Sequence, residues 1–392
     1  MDSTSLTGRA AIALAVSALA LTAQATTFSV AHEFAGTDGS WPFGALTLDS
    51  AGNVYGAAYA GGTANFGTLF KFDGARLTTL YSFTGGSDGG NPEGSLLADA
   101  EGNLYGTTKV GGGGYGTVFR WDRELQPHLR TLKSFVDRAA DGVSPSGGLA
   151  RDADGTLYGT TFFGGNLDCA TQGLGCGTVF KVAASGAFTQ LHRFNGTDGY
   201  GPNATLYRVG DRLFGTTVYW GPSPAGSPYS MKAADGTSFT TVTPNGVSYN
   251  FIGGLVRDAN GNLWGVAFIA GTTSMGGIYR IDPSGNYQLM HTFNGSDGAY
   301  PTGTPILDAQ GMLYGTTEGA AVWGSEGSGP GGYGTVFRYD TASGTLTTLH
   351  RFTGPDGKNP VAGLVRDPQG NLYGVTAYGG ANDKGVLFRV TP

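Results

Sequence analysis

Cysteines, charges and long apolar runs are scarce in this chain, and each shortage excludes a class of protein. With 23 Lys and Arg against 29 Asp and Glu, a net charge of −6 and no basic run, the sequence lacks the electrostatic footprint of nucleic-acid or anionic-membrane binding. Two cysteines with no His nearby are too few for a structural zinc site, which takes four ligands. We therefore expect no nucleic-acid partner and no metal.

The one long apolar run lies at the N-terminus, where residues 10–21 follow the positively charged Arg9. Its 12 residues fall short of the roughly 20 that a transmembrane helix needs. Ala23, Gln24 and Ala25 then form an A-x-A cleavage site, so the pattern predicts a signal peptide over residues 1–25 that is cleaved after Ala25. A retained anchor is the alternative. We expect a secreted or periplasmic monomer, residues 26–392, with no membrane span.

Export would allow the only two cysteines, Cys169 and Cys176, to form a disulfide. They lie seven residues apart in one Gly-rich segment. Because an exported thiol pair this close normally oxidises, we predict a bridge that pins one loop.

Glycine is abundant, with 71 residues, and its positions follow a repeat. The stretch Asp99–Thr108, D-A-E-G-N-L-Y-G-T-T, has seven near-copies at intervals of 50 to 59 residues. They centre on Tyr55, Tyr105, Tyr158, Phe214, Trp264, Tyr314 and Tyr373. Since each repeat is a unit of one larger body, we expect a single domain over residues 26–392.

The second repeat contains four short apolar runs of strand length separated by Gly- and Asn-rich turns. The runs are Gly94–Asp99, Asn103–Thr108, Gly116–Trp121 and Leu129–Phe135. No sustained helical period follows the signal, so the sequence predicts an all-β fold. Seven units of four antiparallel strands match a seven-bladed β-propeller.

Apolar residues that recur in each unit should fill the layers between blades. In the second repeat these are Leu104, Tyr105, Val118 and Phe119. The fourth repeat is the weakest copy, because it loses the D-x-x-G-N turn and places Ser230 where we align Phe180 of the third.

The two ends of the repeat array predict how the ring closes. Residues Phe28–Phe34 match the fourth strands Thr189–Phe194 and Thr347–Phe352, yet they precede any first strand. The last repeat stops after its third strand, Val386–Thr391. We therefore expect the N-terminal strand to complete the last blade, which removes the open edge of the ring.

One face of this propeller should hold nearly all the variation. The loops between second and third strands are lengthened at Gly164–Gly177, Tyr219–Ser227 and Glu318–Gly334. They share a face with the connections from one blade to the next, which we call the variable face. Insertions in repeat proteins collect on the binding face, although tolerated surface insertions are the alternative.

A second motif on the variable face, G-x-D-G-x-x-P, precedes the first strand in six repeats. Its aspartates are Asp38, Asp88, Asp141, Asp198, Asp297 and Asp356. A calcium or catalytic ring is one interpretation, but Asp before Gly is a turn former, and repetition indicates a structural role. The same logic makes outer-strand residues of His32, His192, His291 and His350.

Function should then lie in residues that do not repeat. The aromatic candidates are Trp41, Tyr200, Tyr219, Trp220, Tyr300 and Trp323, and the charged ones are Lys109, Asp168, Glu318 and Glu326. Rings that rim a propeller mouth suit glycans or aromatic ligands, whereas rings that pack over blade edges are structural. Solvent exposure distinguishes these two interpretations.

The units L-x-x-D-x-x-G-N-L-Y-G-T-T, G-G-x-x-x-x-G-T-V-F-R and T-x-L-x-x-F-x-G-x-D-G-x-x-P resemble the Gloeo/Verruco tandem repeat of exported bacterial proteins, from about Phe28 to Pro392. That family is largely uncharacterised, so the resemblance implies export and a repeat architecture rather than an activity. Many members carry a sorting anchor after the repeats. None follows the repeats here, which favours a free form.

No hydrolase elbow, zinc-protease motif, dinucleotide fingerprint or P-loop is present, so we expect neither catalysis nor a cofactor. The leading hypothesis is an exported, non-catalytic propeller that binds a glycan or an extracellular protein through the variable face. A secreted lyase or glycoside hydrolase with a site over the central channel is one alternative. A purely structural envelope protein is the other.

Overall fold

The computed structural model describes residues 26–169, 173–219, 226–242, 250–319 and 332–392. The predicted signal peptide, residues 1–25, lies outside the described residues. The described ranges form strands, turns and loops with no α-helix. They accordingly offer no helix with the length and apolarity of a membrane span.

The strands form seven antiparallel sheets, which are the blades of a seven-bladed β-propeller. Strand β1 (Thr27–Glu33) comes first in the chain and belongs to the last blade. Blade 1 contains β2 (Thr47–Leu48), β3 (Val54–Ala58), β4 (Thr68–Phe72) and β5 (Leu77–Ser82). Blade 2 contains β6 (Leu97–Ala98), β7 (Leu104–Thr108), β8 (Thr117–Trp121) and β9 (Leu129–Ser134). Blade 3 contains β10 (Ala150–Arg151), β11 (Leu157–Thr161), β12 (Thr178–Val182) and β13 (Phe188–Arg193).

The remaining blades follow the same plan, except that the inner strand of blade 4 is assigned in two pieces. Blade 4 contains β14 (Tyr200–Pro202), β15 (Tyr207–Val209), β16 (Arg212–Tyr219), β17 (Pro228–Lys232) and β18 (Thr240–Thr241). Blade 5 contains β19 (Val256–Arg257), β20 (Leu263–Ala267), β21 (Gly277–Ile281) and β22 (Tyr287–Thr292). Blade 6 contains β23 (Ile306–Leu307), β24 (Met312–Thr317), β25 (Thr335–Asp340) and β26 (Leu346–Arg351).

Blade 7 joins the two ends of the chain. It contains β27 (Val365–Arg366), β28 (Leu372–Thr376) and β29 (Val386–Thr391), and β1 pairs antiparallel with β29. The pairing runs from Thr27 opposite Thr391 to Glu33 opposite Val386. The predicted closure, three strands from one end and one from the other, is confirmed.

The apolar core consists of seven clusters, one at each interface between neighbouring blades. Side chains alternate along each strand, so one blade contributes to two clusters. Leu104 and Phe119 pack toward blade 1, while Tyr105 and Val118 pack toward blade 3. The prediction that these four residues fill the layers between blades is confirmed.

The glycine of each L-Y-G-T-T copy lies beneath an aromatic ring of the neighbouring strand. Gly106 pairs with Phe119, and a Cβ on Gly106 would lie 2.6 Å from Phe119 Cζ. In blade 4 the residue opposite Gly215 is Tyr229, not Ser230. The alignment that placed Ser230 in the Phe180 position was therefore wrong by one residue, and the ring-over-glycine contact is present in blade 4 as well.

The first hairpin of every blade except blade 4 is held by its aspartate. Asp99 accepts hydrogen bonds from the backbone N–H and the side-chain amide of Asn103 at 2.8 and 3.0 Å, and from the Tyr105 hydroxyl at 3.0 Å. The Tyr or Trp of the motif thus ties the hairpin to the blade interface, as in Trp264 with Asp258. Blade 4 has Phe214 at this position, which lacks a hydroxyl.

The aspartates of the G-x-D-G motif do the turn chemistry that the sequence indicates. Asp38 accepts the backbone N–H of Ala35 at 2.8 Å and lies 2.7 Å from His32 Nε2. Similar pairs join His192, His291 and His350 to Asp198, Asp297 and Asp356 at 2.9 Å. Tyr81 and Lys133 take the place of the histidine in blades 1 and 2. The structural interpretation is confirmed.

Replacing Gly106 with Ala should destabilise the propeller by about 1–3 kcal/mol, because the added methyl would force the Phe119 ring out of its place between blades 1 and 2. Chemical denaturation of Gly106→Ala measures the loss. The control is Gly86→Ala, where the nearest atom to the added Cβ is a Thr84 hydroxyl at 3.2 Å. A similar loss in both variants would contradict the packing role.

The aspartates of the first hairpins should make the stability of the folded protein sensitive to acid. Burial opposes ionisation of Asp99, but its hydrogen bonds from Asn103 and Tyr105 outweigh this effect and hold its pKa below the usual 3.8. Such a group contributes stability that is present above pH 3.8 and lost as the pH falls through the lowered value. Tyr105→Phe should cost about 1–2 kcal/mol at pH 7 and less at pH 3. An equal cost at both pH values, measured by denaturation, would contradict this assignment.

Candidate functional site

The blades meet around a central channel whose wall is made of backbone and small side chains. The inner segments contain a P-x-G-x-L pattern, as in residues 42–46 and 92–96. A Cβ on Gly44 would lie 2.5 Å from the Gly94 carbonyl oxygen, and a Cβ on Gly94 would lie 2.5 Å from that of Gly147. Neighbouring inner segments are thus in direct contact, so larger side chains fit only at the ends of the channel.

A cavity of about 430 Å³ occupies the end of the channel on the variable face. Its floor is formed by the inner segments of all seven blades. Its rim carries the larger side chains, namely Trp41, Phe43, Tyr59, Glu93, Lys109, Glu318 and Tyr378. We call this arrangement the channel mouth.

Three residues of the channel mouth occupy equivalent positions in different blades. Tyr59, Lys109 and Glu318 each stand directly after the second strand of their blade. The corresponding residues elsewhere are Phe162, Val218, Phe268 and Ala377. The scaffold therefore presents six different kinds of side chain at one place that repeats in seven blades.

Trp41 reaches the channel mouth through an unusual backbone conformation. Its φ is 57°, in the left-handed region that bulky residues rarely adopt. The residues at the same place in blades 2 and 7, Asn91 and Asn359, have φ values of 55° and 53° and tolerate them better. Asn91 also donates a hydrogen bond to the Tyr59 carbonyl at 3.0 Å. A tryptophan here forgoes that bond and accepts local strain, as Tyr300 does at the equivalent place in blade 6, where φ is 60°.

The aromatic residues of the channel mouth form two pairs. Trp41 and Tyr378 have ring centroids 6.3 Å apart at an angle of 56°, and Phe43 and Tyr59 have centroids 5.4 Å apart at 67°. Trp41 remains 36% exposed. The two rings of each pair thus pack against each other, and Trp41 keeps an exposed surface at the cavity.

A charged pair lies beside Tyr59. Lys109 Nζ is 3.0 Å from Glu93 Oε2 and 5.8 Å from the centre of the Tyr59 ring. Burial opposes the positive charge of Lys109, but the charge of Glu93 and the hydrogen bond to it outweigh burial and raise the pKa of Lys109. The ammonium group is therefore neutralised by a carboxylate and packed against an aromatic face.

Glu318 has no such partner. Among the residues that the structure describes, none donates a hydrogen bond to its carboxylate or forms an ion pair with it. Burial in the channel mouth raises the pKa of Glu318 to about 7. The pKa of Tyr378 is raised first by burial and then by the charge of Glu318, and both side chains line the same cavity.

The sequence profile of the Gloeobacter/Verrucomicrobia repeat matches residues 16–174, 170–325 and 321–392. The chain belongs to the Gloeobacter/Verrucomicrobia repeat family. The resemblance noted from the repeat units is thereby confirmed. No protein of curated function matches the sequence.

Many solved structures are similar to this repeat protein in fold, and two of them illustrate the likeness. The extracellular domain of a hybrid two-component system from B. thetaiotaomicron has a TM-score of 0.57 and 14% identity, with 92% of this chain and 39% of that chain covered. A puromycin-hydrolysing peptidase from Mycobacterium tuberculosis has a TM-score of 0.51 and 12% identity, with coverages of 84% and 48%. The chain spans less than half the length of either protein. At these identities the similarity shows the fold alone.

The structure places three of the sequence candidates, Trp41, Lys109 and Glu318, in the channel mouth. Tyr300 does not line the cavity, because its ring packs on Phe268 at 5.1 Å. Tyr200 packs on Phe162 at 5.9 Å. Exposure at the cavity therefore supports the ligand-binding interpretation for Trp41, whereas ring packing supports the structural interpretation for Tyr200 and Tyr300.

The remaining candidates lie away from the described cavity or outside the described residues. The backbone of Tyr219 pairs with that of Tyr200, and Asp168 lies exposed in the loop of the two cysteines. Trp220, Trp323 and Glu326 lie outside the described residues.

Sequence reasoning missed four residues of the channel mouth, namely Phe43, Tyr59, Glu93 and Tyr378. Tyr59 stands in the same blade position as Lys109 and Glu318, so comparing that position across the repeats would have found it. The other three carry no signal of this kind, because their exposure depends on how the blades meet.

The two cysteines form a disulfide in the structure, with Cα atoms 5.7 Å apart. Cys176 is buried in the cluster between blades 3 and 4, and Cys169 packs against the same cluster. The bridge thus anchors the second-to-third-strand loop of blade 3. Within the described ranges, no group of three or more His, Cys, Asp or Glu residues is placed to hold a metal ion.

Replacing Glu318 with Gln should stabilise the protein at high pH. A carboxyl whose pKa rises from 4.5 to about 7 on folding favours the protonated form, so its ionisation costs stability as the pH rises through this range. The gain in unfolding free energy for Glu318→Gln should be small at pH 5 and reach up to about 3 kcal/mol at pH 8. Denaturation at both pH values measures it. Glu101→Gln, in an exposed hairpin, is the control, and a gain independent of pH would contradict the assignment.

Proposed function

We propose that this chain is an exported, non-catalytic propeller that binds a glycan at the channel mouth. The observation that carries the proposal is the gathering of Trp41, Tyr59 and Tyr378 around one cavity at positions where the blades differ. Residues that serve the fold repeat from blade to blade. Residues that do not repeat, and that face a shared cavity, serve something outside the fold.

The chemistry of the channel mouth suits a sugar better than a flat apolar ligand. Aromatic rings with an exposed face offer an apolar surface to the C–H faces of a pyranose ring. The ion pair of Lys109 with Glu93 and the carboxylate of Glu318 supply polar groups for hydroxyls around those rings. A cavity of about 430 Å³ falls within the usual range for small-ligand sites and has room for one or two sugar residues.

Export is supported by three separate observations. The N-terminal sequence has the pattern of a signal peptide. The disulfide of Cys169 with Cys176 suits an oxidising compartment. One of the structures with a similar fold is the extracellular domain of a two-component system. A propeller in this setting meets glycans of the cell envelope or of the surroundings.

A second candidate function, glycan cleavage, is favoured by Glu318 alone. A carboxyl with a pKa of about 7 can donate a proton at neutral pH, as a general acid does. This function predicts that bound glycans are shortened by the protein and that Glu318→Gln abolishes the cleavage while binding persists. Mass spectrometry of the incubated glycan detects the products.

The binding test compares two variants that are matched in backbone position. Trp41→Asn introduces at the channel mouth the residue that blades 2 and 7 use, so the fold should tolerate it. Tyr300→Asn makes the same change at the same place in blade 6, where φ is 60° but the ring packs on Phe268. A glycan array screened with the purified chain identifies ligands, and calorimetry gives their affinities.

We expect Trp41→Asn to weaken glycan binding at least about tenfold, because the stacking surface is removed. Tyr300→Asn should bind like the parent. Equal binding by all three proteins, or an array on which no glycan binds above background, would contradict the proposal.

A further inference from the structure

The channel mouth contains one carboxyl group, that of Glu318, for which the described residues supply no partner. Three charged side chains of the described residues line the cavity, and two of them, Lys109 and Glu93, form an ion pair at 3.0 Å. The carboxylate of the third, Glu318, has no hydrogen-bond or ion-pair partner in the part of the chain that the structure describes, although the backbone carbonyl of Glu318 accepts a hydrogen bond from Asn359. A partly buried carboxylate without a partner is costly, and a ligand cation would relieve that cost.

The protein itself shows how an ammonium group fits such a place. On one side of the cavity, the Lys109 ammonium contacts the Glu93 carboxylate and lies over the Tyr59 ring. Elsewhere around the cavity, Glu318 lines the wall together with Tyr378, whose ring centroid lies 6.3 Å from that of Trp41. Glu318 supplies a carboxylate and Trp41 and Tyr378 supply aromatic faces, but no Lys or Arg of the described residues lies over the Trp41 or Tyr378 ring.

We propose, on the basis of the glycan-binding function, that the glycan carries a cationic amino group, which binds against Trp41 and Tyr378 and pairs with Glu318. The ligand class is then a cationic amino sugar with a free or alkylated amine rather than an N-acetylated one. Two aromatic faces that meet at an angle attract a cation through their π-systems, and the carboxylate supplies its counter-charge. An N-acetyl group at this place would give the Glu318 carboxylate no counter-charge.

Binding of a cationic amine should be coupled to ionisation of the Glu318 carboxyl. Cation binding favours ionised Glu318, so the affinity for a permanently charged cation should rise as the pH increases from 5.5 to 8.5. The other titratable groups that line the cavity are Tyr59, Tyr378, Glu93 and Lys109. Lys109 and Tyr378 have pKa values above their usual 10.5 and 10.0, and Glu93 is held in the ion pair with Lys109.

Three further charged residues lie close to the aromatic corner that Trp41 and Tyr378 form, namely Lys358, Asp383 and Lys384. Lys358, whose backbone pairs with that of Tyr378, forms an ion pair with Asp383 at 3.1 Å. Lys384 follows Asp383, and its carbonyl accepts the backbone N–H of Trp41. Burial opposes ionisation of Asp383, but hydrogen bonds from Gly379 and Lys358 outweigh it and lower its pKa, so Asp383 does not titrate between pH 5.5 and 8.5.

The first test uses choline, which is cationic at every pH, and 3,3-dimethylbutan-1-ol, its neutral isostere. Calorimetry with the purified chain should give an affinity for choline about tenfold higher than for the isostere. Glu318→Gln should lower the choline affinity about tenfold and leave the isostere unchanged, whereas Trp41→Asn should weaken both. Glu101→Gln removes one negative charge from an exposed hairpin and is the matched control for net charge.

The second test separates this inference from the glycan-binding function. Oligosaccharides of N,N,N-trimethylglucosamine should bind to the parent protein more tightly at pH 8.5 than at pH 5.5, and oligosaccharides of N-acetylglucosamine should bind about tenfold more weakly. Loss of this preference in Glu318→Gln would support the inference. Equal binding of both series would overturn the inference and leave glycan binding standing. Binding of neither series, together with an empty glycan array, would overturn both.

Discussion

Everything else in this molecule depends on the packing of each four-stranded sheet against its two neighbours. A single blade has no core of its own, because its buried residues, such as Leu104 and Tyr105, point to opposite faces and enter different clusters. Close approach of the sheets requires a ring over a glycine, as with Phe119 over Gly106. The pairing of β1 with β29 then closes the ring and leaves no blade with an exposed interface. Repetition in the sequence is the direct result of this packing, since each interface needs the same set of side chains.

The fold could be predicted from the sequence because this packing repeats. Strand order, the number of blades and the closure by the N-terminal strand all follow from matched segments, and the structure confirms them. The error at Ser230 had a local cause, since blade 4 lacks the aspartate turn that would have set the alignment there. A shift of one residue moves a strand side chain to the opposite face, so Tyr229, rather than Ser230, packs in the core.

The candidate site could be predicted only in part. Trp41, Lys109 and Glu318 could be identified because they depart from the repeat, at positions where the fold does not require a particular side chain for packing. Tyr300 departs from the repeat as well, but its ring packs on Phe268. No sequence spacing distinguishes these outcomes, because the diameter and tilt of the ring decide which side chains reach the cavity. Glu93 and Tyr378 escaped notice for the same reason.

The channel mouth has features that the fold does not require. Trp41 adopts a strained conformation where asparagine would gain a hydrogen bond, and Glu318 holds a carboxylate in a place that raises its pKa to about 7. Both features cost stability, and both involve residues that line the channel mouth. A binding site explains the two features together.

The most direct measurement is an NMR titration of the tryptophan indole N–H groups with a trimethylglucosamine oligosaccharide. Trp41 faces the channel mouth, whereas Trp121 and Trp264 are buried between blades. If the ligand binds as described, the Trp41 indole resonance should shift in a saturable manner while those of Trp121 and Trp264 stay in place. Saturable binding that leaves the Trp41 resonance unchanged would contradict the assignment of the channel mouth as the binding site.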